Sequence, residues 1–101
     1  MNLRDAKKEF DKICKELYII FPFNNIEFNW FKDEGEFDPI KNQIKIDKAD
    51  WRRNLRHELR HVWQLKMGYL TLDRKWKGIY CSAPYGLEPW EIDAKDFANK
   101  G

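Results

Sequence analysis

Only two histidines occur in this chain of 101 residues, and they stand four apart in the string His57-Glu58-Leu59-Arg60-His61. That spacing constrains the fold before anything else does. Residues i and i+4 lie one above the other on a helix face, so the two imidazoles converge on one tetrahedral cation if the stretch is helical. Glu58 lies about 100° further round the helix. From there its carboxylate reaches a water on the cation without being a ligand, which is where a general base belongs. Arg53 to Gln64 therefore reads as a helix that carries two zinc ligands, His57 and His61, and a catalytic base, Glu58. The plainer reading makes the histidines ordinary helix residues among the charges of Arg56, Glu58 and Arg60.

The flanking sequence gives this helix bounds and neighbours. Asp47 or Asp50 is placed to cap it, Leu55, Leu59 and Val62 form its apolar stripe, and Gly68 ends it in the left-handed conformation. Upstream, Leu3, Ala6, Phe10, Ile13, Leu17 and Phe21 recur at helical spacing after the potential N-cap Asn2, and Pro22 is expected to turn the chain out of helix. Three short segments follow: 26–31, 36–38 and 43–47. They alternate apolar with polar residues, with a polar turn from Lys32 to Gly35 and another from Pro39 to Asn42. They read as an antiparallel meander, its Lys-bearing last strand at an edge where extended substrate could pair. Residues 69–86 lack a sustained period and read as a long loop with room for a short hairpin. Its Tyr80 and Tyr85 are expected to pack on the core. Pro89 then opens a last helix whose Ile92, Ala94, Phe97 and Ala98 are available for packing. The expected fold is a single α+β domain: a helix, a three-stranded antiparallel sheet, the histidine helix, a loop and a final helix.

Composition narrows the partners. Nineteen basic against seventeen acidic residues leave no general attraction to nucleic acid or anionic membrane. A local exception is Arg52, Arg53, Arg56 and Arg60, read mainly as a solvated face and secondarily as a contact for an acidic substrate, phosphate or DNA. Cys14 and Cys81 show no disulfide or C-x-x-C spacing, and neither the stretch Met1–Phe10 nor any later run has the apolar character of a signal or membrane segment, so neither secretion nor membrane insertion is expected. Reduced thiols in a cytoplasmic protein are expected.

A catalytic zinc keeps three protein ligands and one open position. With no third histidine, the last ligand must be a carboxylate or a cysteine. The metzincin extension is excluded, because it needs Gly at position 64 and His at 67 where this chain has Gln64 and Met67. Glu91 leads the candidates: small Ala94 and Ala98 on its helix let that helix approach the histidines. Glu88 comes next and Cys81 third.

His57 to Gln64, H-E-L-R-H-V-W-Q, followed by Glu91 to Ala98, E-I-D-A-K-D-F-A, resembles the gluzincin pattern of H-E-x-x-H completed by a downstream glutamate helix. The order of elements resembles the minigluzincins, small single-domain metallopeptidases. Gly35 to Pro39 with Ile44 to Ile46 bears a weaker similarity to SprT-like peptidases. The resemblance implies His57, His61 and Glu91 as zinc ligands, Glu58 as general base and acid, and a peptide or protein substrate. One position departs from the pattern. Many gluzincins have Asp or Asn four residues after the ligand glutamate, where it bonds a ligand histidine. Here that position is Lys95, with Asp93 or Asp96 as the nearest substitutes. The alternative expectation is a non-catalytic or latent zinc-stabilised binding module, associated with DNA through the arginines.

Overall fold

The computed structural model describes residues 1–30 and 35–101. The expected end of the first strand at Phe31 and most of the turn beginning at Lys32 lie outside the described residues. Helix α1 spans Leu3–Leu17 and buries Ala6, Phe10, Ile13 and Leu17 on one stripe. Asn2 caps it as expected, its side-chain oxygen accepting the Arg4 amide at 2.7 Å. The helix ends earlier than Pro22 suggests. Tyr18 adopts φ 54°, and the Ile19 amide donates to the Cys14 carbonyl at 3.0 Å, closing a left-handed C-terminal turn. Beyond it Ile19 and Phe21 are buried while Ile20 is exposed, the alternation of extended chain. Phe21 thus reaches the core from an extended segment, at a spacing that also fits a helix.

A 3-10 turn at Phe23–Asn25 leads into β1 (Ile26–Asn29), followed by β2 (Gly35–Asp38) and β3 (Gln43–Asp47). The sheet is mixed, in the order β1-β3-β2. β3 pairs parallel to β1 (Ile26 opposite Ile44) and antiparallel to β2 (Phe37 opposite Ile44), so the antiparallel meander with an edge β3 is corrected. The reason lies in side-chain direction. Ile44 and Ile46 are 1% and 0% exposed, which favours the central place for their strand. Lys45 points to the other, open face, where a charge does not require a sheet edge. Substrate pairing along β3 is ruled out with it, since both its edges are occupied.

Helix α2 (Trp51–Lys66) lies over the buried face of the sheet. Asp50 precedes it at φ 53° and makes no side-chain cap. Asp47 instead accepts the Ala49 amide at 3.2 Å, and Asn54 donates to the carbonyls of Asp47 and Ala49 at 3.4 and 3.0 Å, holding the strand-to-helix turn. Gly68, at φ 77°, follows the helix end as expected. The loop holds a small hairpin of β4 (Lys75–Trp76) and β5 (Ile79–Tyr80). Tyr80 and Tyr85 are 63% and 90% exposed, so the packing expected of them is not found.

Helix α3 (Pro89–Lys100) packs against α2. It buries Trp90, Ala94, Phe97 and Ala98, while Ile92, expected to pack, is 48% exposed. The core joins Phe10 and Ile13 of α1, Ile44 and Ile46 of β3, Leu55 and Leu59 of α2 and Phe97 of α3. Arg56 ties the three helices together: its Nε donates to the Phe97 carbonyl at 3.2 Å and its Nη1 lies 3.2 Å from Glu16. Among the described residues no helix is long and apolar enough to cross a membrane.

Candidate metal centre

The helical register of α2 puts His57 and His61 one turn apart on its α3-facing side, with ring centroids 4.9 Å apart and Nε2 atoms 3.2 Å apart. Glu91 lies in the first turn of α3, set there by Pro89 at the first helical position. Its Oε2 lies 3.2 Å from His57 Nε2 and its Oε1 2.8 Å from His61 Nε2, so one carboxylate spans both rings. Ala94, 0% exposed, and Ala98 let α3 approach closely enough for this. One donor atom from each of the three residues lies within 4.8 Å of the others.

The donor set fits a divalent zinc-like cation. Two imidazole nitrogens and a carboxylate oxygen suit zinc, and tetrahedral bonds of about 2.0–2.1 Å place ligand atoms roughly 3.3 Å apart, close to the separations found. Burial alone would raise the Glu91 carboxyl. The hydrogen bonds and charges of His57 and His61 outweigh it and hold the group well below the usual carboxylate range. Burial likewise opposes charge on His61, but Glu91, with help from Glu58 and Gln64, raises its affinity for a proton.

Glu58 is buried on the same helix, close enough to His61 for its charge to act there. Glu88 and Cys81, the other candidate ligands, are not in the group. Glu88 accepts the Gly86 amide and lies 3.8 Å from Arg74, shaping the entry into α3. The backbone of Cys81 is bonded to Arg74. Lys95 and Asp96 are exposed. Asp93 takes part through an intermediary that the sequence reading passed over. Gln64 is 0% exposed, and its Oε1 lies 2.8 Å from His61 Nδ1 while its Nε2 donates to the Trp90 carbonyl at 2.9 Å and to Asp93 at 2.8 Å. Burial would raise the Asp93 carboxyl, but Arg60 and Gln64 lower it. An amide three residues after His61 and seven after His57, on the same face of α2 as both, was the signal available for Gln64.

No family model, curated protein or solved structure matches this chain. The site is therefore read from its own geometry.

A cleft of about 270 Å³ opens beside the cluster, walled by Phe37, Pro39, Leu65, Leu70, Leu72 and Trp90. His61 and Glu91 reach into it. Three of the four arginines of α2 are engaged within the chain, and Arg52 is mostly exposed. Arg60 grips Asp93 at 2.8 and 3.1 Å, Arg53 donates to Asn99 at 3.0 Å, Arg56 is 6% exposed, and Arg52 lies 3.9 Å from Glu9.

Proposed function

We propose that this chain is a zinc-dependent peptidase of the gluzincin-like kind, with His57, His61 and Glu91 holding the ion and Glu58 acting as general base. The observation that carries this is the convergence of His57, His61 and Glu91 from two helices, with Glu58 on the same turn of α2. A bound zinc would supply a Lewis acid and lower the pKa of the attacking water. With the ion bound, Glu58, buried on the same turn as His57 and His61, would be the group to take up a proton from the attacking water and return it to the departing amine nitrogen. Glu88 and Cys81 stand outside the group, so among the described residues His57, His61 and Glu91 are the three that would hold the ion, the number of protein ligands a catalytic zinc takes. The cleft beside His61, mostly apolar but with Thr71 and Arg74 also on its wall, receives a substrate side chain. The outer edge of β2, adjoining the Phe37 wall, is the edge on which an extended peptide would lie. The internally engaged arginines offer little support for the nucleic-acid alternative.

The test is Glu58→Gln, which keeps size and hydrogen-bonding reach but removes the basic carboxylate. At equal zinc occupancy, turnover of a mixed peptide library should fall by about 10²–10⁴-fold while zinc content stays at the wild-type level. Equal cleavage by the two proteins removes Glu58 from the mechanism. No cleavage by fully loaded wild type counts against the peptidase reading.

A further inference from the structure

His61 has two ring nitrogens, and which of them carries the proton decides whether Nε2 can offer a lone pair to a cation. The surroundings of Gln64 settle that choice. Its Nε2 faces the Trp90 carbonyl at 2.9 Å and the Asp93 carboxylate at 2.8 Å. Both can only accept, so the atom facing them must be the amide NH2. The atom facing His61 Nδ1 at 2.8 Å is then the amide oxygen, and Nδ1 must be the donor. Asp93 is itself held by Arg60, whose Nε and Nη2 donate to its two oxygens, and the Arg60 guanidinium lies 3.8 Å over the Trp63 ring. A flipped amide would turn its oxygen toward a carbonyl and a carboxylate at a fully buried position. The cost of that arrangement fixes the orientation.

We propose that Gln64, locked by Trp90, Asp93 and Arg60, is the positioning residue of the metal centre: it holds the proton of His61 on Nδ1 and so presents Nε2 to the cation. The inference rests on the metal reading of the site. Without the Gln64 oxygen, the Nδ1 proton has no partner in a buried place, and Glu91, 2.8 Å from Nε2, draws the proton to the nitrogen the cation needs. Asp93, one of the two substitutes for the position of Lys95, thus acts on His61 through Gln64.

The experiment compares zinc affinity, by chelator competition, and the proton spectrum of zinc-loaded protein with nitrogen-labelled histidine, for wild type and Gln64→Met. Methionine keeps the volume and removes the acceptor. Wild type should show a slowly exchanging Nδ1 proton on His61. In the variant that resonance should be lost to exchange with water, and affinity should fall by about 10–100-fold. A purely packing role for Gln64 would lower thermal stability and leave both readouts in place. Should Gln64→Met fail to fold, Asp93→Ala, at a partly exposed position, tests the same chain, with affinity lower by a few-fold and the Nδ1 resonance displaced. Wild-type affinity and an unchanged resonance in the variant that folds overturn the proposal. A wild-type protein that takes up no zinc overturns the metal reading itself, and this inference with it.

Discussion

At the scale of single residues, the site depends on which acid does which task. Glu91 and Glu88 are three apart at the start of α3, and both are well placed for a helix N-terminus, where an acid gains some tenths of a kcal/mol. Only Glu91 meets the histidines; Glu88 turns toward Gly86 and Arg74. Glu91→Ala should therefore lose most of its zinc, because it removes a direct ligand, while Glu88→Ala keeps its zinc and loses thermal stability as the loop loosens. Elemental analysis after identical purification and zinc dialysis decides this, and equal metal content in the two variants would reject Glu91 as a ligand. The Cys14 thiol is quieter. Cys14 is pushed up to about 11, by burial first and Asp11 second, which keeps it protonated and unreactive at neutral pH.

At the scale of elements, the contact between α2 and α3 is what assembles the donors. Ala94, one turn after Glu91 on α3, is fully buried. Ala94→Leu should push α3 away from α2, at about 1–3 kcal/mol of stability, and should weaken zinc binding because Glu91 moves with its helix. Ile92→Ala, a comparable change of volume in the opposite sense at a position half exposed on α3, serves as the control and should leave zinc affinity alone. Denaturant unfolding and zinc competition on both variants measure this; an Ala94→Leu protein that binds zinc as wild type does would show that the helix contact is not what positions Glu91. The sheet has its own point of intolerance. Gly35 sits at φ 122°, and a Cβ there would stand 2.2 Å from the Lys45 carbonyl oxygen, so β2 can lie against β3 only with glycine at its start.

At the scale of the whole molecule, the His57–His61–Glu91 group joins α2 and α3, so if it holds the proposed ion, metal binding and folding should be linked. A ligand that binds only the native state, present at a hundred times its dissociation constant, stabilises by about 2.7 kcal/mol. For a chain of this size that corresponds to a rise in melting temperature of roughly 10–20 °C. Calorimetry with zinc and then with a chelator should show the rise and its reversal, and Glu91→Ala should show little of either; identical melting curves with and without zinc would contradict the linkage. The sequence by itself determined what depends on local periodicity and chemistry. The helical stripes of α1 and α2, the Asn2 cap, the Gly68 stop, Pro89 at the head of α3, and the pairing of His57 with His61 on one face all follow from 3.6-residue spacing and backbone preference, which act over a few neighbours. Tertiary structure decided what depends on distant partners. Whether Phe21 continues a helix or lies in extended chain, and whether β3 is central or at an edge, both turn on burial against other elements, and either choice gives the same local pattern of apolar residues. The chain from His61 through Gln64 and Asp93 to Arg60 was out of reach for the same reason: hydrogen bonds between side chains 29 and 33 positions apart leave no periodic trace, and only the packing of α3 on α2 brings them together.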